Sequence, residues 1–63
     1  MADIARLRRR AAYLRRQAQL YRRLAKIPLN APLHERLEDL ARRCADIAAS
    51  IERNVVLGLY DRR

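Results

Sequence analysis

The sequence predicts an all-α protein, an antiparallel two-helix hairpin over about residues 3–27 and 31–57 that pairs with a second copy to form a four-helix bundle. Three observations carry this expectation. Apolar residues recur at alternating three- and four-residue steps in both halves of the chain, a short proline-containing break separates the halves, and the apolar stripe is wider than one hairpin can cover.

In the first helix, Ile4, Leu7, Ala11, Leu14, Ala18, Tyr21 and Ala25 follow the spacing that keeps side chains on one helical face. Small Ala11, Ala18 and Ala25 alternate with larger Leu7, Leu14 and Tyr21, which suits interleaved core layers. Tyr13, Leu20, Leu24 and Ile27 widen the stripe on one side, beyond the breadth of a two-stranded seam.

Pro28 should stop this helix, because the residue before a proline is driven out of the helical region. Asn30 is then placed to cap the second helix by accepting the N–H of Leu33, with Pro32 in the first turn, where no N–H is needed. A connection of only Pro28, Leu29 and Asn30 forces the helices antiparallel.

The second helix repeats the pattern with Leu33, Leu37, Leu40, Cys44, Ile47 and Ile51, flanked by Ala41, Ala48 and Val55. Two helices leave each apolar face with a single neighbour, so two hairpins docked face to face are needed to close the core. Leu7, Leu14, Tyr21, Leu37, Leu40, Cys44, Ile47 and Ile51 are the expected core and dimer residues. After them, Val56, Leu57, Leu59 and Tyr60 point in several directions on a helical projection. Either the helix unwinds near Gly58 and the partner's loop covers the bundle end, or these side chains form a docking patch.

A chain of 63 residues forms one domain, here residues 1–63, and a core of this size is marginal without further support. One cysteine and one histidine exclude a disulfide framework or a zinc cluster as that support, leaving a second chain. No run approaches the ~18 apolar residues of a transmembrane helix. The start, MADIARLRRR, has no apolar region behind its charges; it resembles a mitochondrial presequence in being rich in arginine, but residues 1–26 contain no serine and hold one regular heptad pattern. A cytoplasmic location is the expectation.

The formal charge of +8 is concentrated. Residues 1–26 carry Arg6, Arg8, Arg9, Arg10, Arg15, Arg16, Arg22, Arg23 and Lys26 against the single Asp3, whereas residues 27–63 balance six arginines with six carboxylates. Arg8, Arg15 and Arg22 share one heptad position, and Arg9, Arg16 and Arg23 the next. With Lys26 they form a polar arc of about 100° opposite the apolar one, repeating every ~10.5 Å along the axis. On the second helix the acids fall on the outer face, with Glu38 and Asp39 four residues before Arg42 and Arg43, so they are expected to pair locally and leave the arc uncompensated.

Little in the chain suits catalysis. Ser50 is the sole serine, threonine is absent, His34 lies in a solvated first turn, and Cys44 occupies a core position where a thiol is inert packing. His34-Glu35-Arg36 lacks the second histidine of a zinc motif, and Glu35, Glu38 and Asp39 suit the positive end of a helix dipole. No enzymatic activity, cofactor or metal is expected.

The stretch AAYLRRQAQLYRRLAKIPLNAPLHERLEDLARRCADIAASIE, residues 11–52, resembles a group of short uncharacterised bacterial proteins built as a helix, a proline-containing turn and an R-x-x-L-x-x-L-A helix. The resemblance implies the hairpin fold and no activity. In size and layering the chain is also similar to the repressor of primer, a dimeric helical hairpin that binds paired RNA loops on one bundle face, although no sequence motif is shared.

Two functions follow as expectations. The first is phosphate-directed binding of RNA or DNA by Arg8, Arg9, Arg15, Arg16, Arg22, Arg23 and Lys26, since arginine makes forked phosphate contacts and Lys26 is the only lysine. Tyr13 and Tyr21 project away from that arc, so neither base stacking nor helix-turn-helix readout is expected. The second is a protein-interaction module whose basic face or Val55–Tyr60 end docks an acidic or helical partner. Peripheral membrane attachment is disfavoured, because the apolar face lacks Trp and Phe and is already needed for the core.

Overall fold

The computed structural model describes residues 4–58, and these form a helical hairpin. Helix α1 runs Ile4–Ala25, a 3-10 helix covers Pro28–Leu33, and helix α2 runs His34–Val56. The two long helices have 22 and 23 residues, so they match in length and lie side by side.

Alanine sets the seam between them. Ala11, Ala18 and Ala25 on α1 and Ala41 and Ala48 on α2 are buried, the last two with no exposed surface. Spaced by seven residues, these methyl groups present a flat strip on each helix and let the backbones approach closely. Leu14 and Ile51 are the two large side chains buried against them, with Leu7, Cys44 and Val55 packed partly over the same cluster.

The connection is longer than the expected three residues. Lys26 and Ile27 already leave the α-helix, with Lys26 N–H donating to Arg23 O and Ile27 N–H to Leu24 O. Ile27 is extended, as a residue before proline should be. From Pro28 a continuous α-helix is blocked, because the ring of Pro32 would meet the carbonyl four residues earlier. The chain takes the tighter 3-10 form, and α2 begins at His34 instead of residue 31.

Asn30 also works in the opposite direction from that expected. Its Nδ2 donates to Leu24 O at 2.9 Å, so it caps the end of α1, and α2 starts at Leu33 without a side-chain cap. His34 Nδ1 donates to Ala25 O at 3.0 Å. Leu24 O, which also accepts from Ile27 N–H, thereby gains a second donor and Ala25 O gains one from the start of α2, which ties the end of α1 to the far side of the turn. His34, expected to be solvated only, is exposed but tied.

Helix α2 has Glu35 in its first turn and Arg53 in its last, both matched to the helix dipole. It ends where Leu57 N–H donates to Arg53 O and Gly58 N–H to Val55 O, with Gly58 at φ +74°. That left-handed conformation is the one glycine adopts without strain, so the helix stops at its only glycine.

Candidate nucleic-acid interface

Taking the alanine seam as origin, each residue turns the helix by about 100°. On α1, Arg8, Arg15 and Arg22 then lie about 40° to one side, and Arg9, Arg16 and Arg23 about 140° on the same side. All six are exposed, as is Lys26. Leu14 and Tyr21 lie about 60° to the other side, Leu24 about 100°, and Tyr13 and Leu20 about 160°.

The same construction on α2 places Cys44, Leu37, Ile51, Leu40 and Ile47 on the apolar side and Glu52 on the arginine side. In an antiparallel pair the corresponding flanks of the two helices meet, and an ion pair marks one of them. Arg15 Nη2 stands 2.6 Å from Glu52 Oε1, and Arg15 Nε donates to Glu52 Oε2 at 3.0 Å. The hairpin is therefore two-sided, with the arginine arc and the Arg15–Glu52 fork along one side and, along the other, an apolar strip that Arg10 and Gln17 interrupt on α1.

The fork corrects the expectation that the acids of α2 stay on its outer face. The hydrogen bond from Arg15 holds the Glu52 carboxyl below the usual carboxylate range, and the same bond raises the Arg15 guanidinium further. Asp39 takes the local role, meeting Arg43 at 3.0 Å and Arg42 at 3.7 Å. One arginine of the arc is thus engaged within the hairpin.

Two shallow recesses open beside the arc. One, on the back of α1, is lined by Arg16, Gln19, Leu20 and Arg23. Arg16, Gln19 and Arg23 are three and four residues apart, so two guanidinium groups and an amide share one depression, a donor set suited to a phosphate oxygen. The other, at the open end of the hairpin, is lined by Arg8 and Glu52 together with Ala11, Ala12, Ile51, Val55 and Val56. Gln19 and Glu52 were not among the sequence candidates; the three- and four-residue steps from Arg16 and Arg23 were the available signal for Gln19.

On the apolar side Tyr13 is 51% exposed, Leu20 43% and Ile47 49%. Leu7, Tyr21, Leu37, Leu40 and Cys44 are half-buried. At the end of α2, Val56 and Leu57 are exposed, while Leu59 and Tyr60 lie outside the described residues. Among the described residues there is no buried polar side chain, no group of three or more His, Cys, Asp or Glu able to hold a metal, and no helix long and apolar enough to cross a membrane.

Comparison of the chain with protein-family models, with curated proteins and with solved structures gives no match, so what the molecule does must be read from its own two sides.

Proposed function

We propose that the chain is a non-enzymatic binding module, a homodimeric four-helix bundle whose arginine arc contacts the phosphates of RNA or DNA without reading bases. One observation carries this reading: the apolar strip and the arginine arc are centred on opposite sides of the hairpin, meeting only at the back of α1, where Leu20 shares a recess with Arg16 and Arg23. A second copy seated on Tyr21, Leu24, Leu40 and Ile47 covers the middle of the strip and leaves the arginines of the arc in solvent. The hairpin alone buries mainly alanine, with Leu14 and Ile51 the large exceptions, which is little for a chain of this length. A second copy supplies what the strip lacks, because Leu40, Cys44, Ile47, Tyr21 and Leu24 would meet their equivalents in a closed core.

Toward phosphate, the arc offers forked donors in a row, and each contact releases counterions. If the five arginines of the arc that Glu52 does not hold engage duplex DNA, the logarithm of affinity falls against the logarithm of salt with a slope of about −4.5. The test is Arg9→Glu, Arg16→Glu and Arg23→Glu together, assayed by fluorescence anisotropy on duplex DNA and duplex RNA. Loss of at least a hundredfold in affinity with helicity retained supports the reading; unchanged affinity overturns it.

A second reading draws on the exposed Val56 and Leu57 beside the recess that Arg8 and Glu52 line. There an acidic or helical protein segment could dock. Stoichiometric recovery of one protein after nuclease treatment, lost in Val56→Asp, would favour it.

A further inference from the structure

We infer that the module is bivalent: one dimer holds two separate nucleic-acid duplexes, one on each outer face, and so bridges them. This rests on the dimeric, phosphate-binding reading above and adds the direction in which the two binding faces point.

The direction follows from the angles. On α1 the arginine arc is centred about 90° to one side of the alanine seam and the mainly apolar arc, which also holds Arg10 and Gln17, about 100° to the other. The Arg15–Glu52 fork fixes the arginine side of α1 and the acid-bearing flank of α2 as one side of the same hairpin. Docking two copies through their apolar strips with α1 of one copy over α2 of the other therefore turns the two arginine rows away from each other. Two layers of helices, each about 10 Å across, separate the rows.

A rod-like duplex lying on one row cannot reach the other around that thickness. Each row is straight as well: Arg9, Arg16 and Arg23 repeat at seven residues on a continuous α-helix, about 10.5 Å apart. Such a row lies along a duplex and does not wrap it. Self-repulsion works in the same sense, since two arginine rows on one side of a dimer would face each other across a short gap, whereas opposite faces keep them apart. The duplexes neutralise the rows independently, so a second duplex binds nearly as well as the first.

The test uses the full chain with a DNA stem-loop whose stem matches α1 in length, about ten base pairs at ~3.4 Å each, and in a second arm the same stem as RNA. Anisotropy reports binding, and size exclusion with light scattering in stem-loop excess reports stoichiometry. The expected result is a soluble particle with the mass of one protein dimer and two stem-loops, in either arm. As protein is added beyond equivalence, this particle gives way to one dimer on one stem-loop. A saturating anisotropy signal with at most one stem-loop per dimer in both arms overturns bridging and leaves phosphate binding standing. An absent anisotropy signal in both arms overturns the phosphate-binding reading itself. The Ile47→Glu chain, altered on the apolar strip only, is expected to bind one stem-loop per monomer; two stem-loops on that monomer would also overturn the inference.

Discussion

The two long sides of the hairpin are made from the same helices and differ in what they leave undone. The arginine side is complete in packing terms: alanine closes the seam, Glu52 takes Arg15, Asp39 meets Arg42, and the other arginines of the arc are exposed. The apolar side is incomplete, with Tyr13, Leu20 and Ile47 about half exposed and Leu37, Leu40 and Cys44 only partly covered. The difference teaches that a narrow alanine seam can join two helices while much of a wide apolar stripe stays uncovered. The seam joins the two helices of one chain, and the rest of the stripe is only partly covered within it.

The largest expected effect comes from charging the incomplete side. Ile47→Glu should be nearly silent in a lone hairpin, where the side chain is already 49% exposed and a surface change costs within about 0.5 kcal/mol. In a dimer that seals this position, the same change should shift the association equilibrium by a hundredfold or more, on the order of 3 kcal/mol. Sedimentation velocity at matched concentrations separates the two cases.

Next in size is overfilling the seam. Ala48→Leu places a large side chain where no surface is exposed and should destabilise the hairpin by about 1–3 kcal/mol, read by chemical denaturation. Arg16→Ala, on the completed side, should leave stability and dimerisation unchanged. It should make the salt slope of DNA binding shallower by about one. Asn30→Ala removes the cap on Leu24 O and should cost about 0.5–1.5 kcal/mol, with the loss concentrated in hydrogen exchange at the end of α1 and the turn.

The smallest effect belongs to Glu52. Its folded-state carboxyl lies below the unfolded value, so the stability it contributes is present above the usual glutamate range, and it is lost as pH falls through the lowered folded value. Glu52→Gln should flatten that acid limb of the stability profile, measured by thermal melts across pH. It also frees Arg15, so DNA affinity should rise slightly and the salt slope steepen toward one further contact.

Much of this architecture is legible in the sequence, and the misses share a cause. The three- and four-residue spacing of Ile4 to Ala25 and of Leu33 to Ile51 is a property of single helices, so both helices can be read locally. Which part of a wide stripe faces the other helix depends on its neighbours. Centring α2 on Leu37, Leu40, Cys44 and Ile47 puts Glu52 on an outer flank. The observed seam through Ala41 and Ala48 is rotated by roughly 60°, and that rotation brings Glu52 to Arg15. At the turn, Asn30 carries a donor and an acceptor on one amide; local sequence permits either cap, and the nearness of the Leu24 carbonyl selects the donor. The arginine arc was readable because helical periodicity alone places it. Gln19 beside Arg16 and Arg23 was missed because an uncharged side chain leaves no mark in a charge pattern.

The mass of the chain in solution tests the two-sided account most directly. Nuclease-treated protein at micromolar concentration, followed by size exclusion with light scattering, should elute at twice the 7.4 kDa chain mass and return to that mass once on Ile47→Glu substitution. A wild-type chain that remains at the single-chain mass as its concentration is raised, with its helices intact by circular dichroism, would contradict the account.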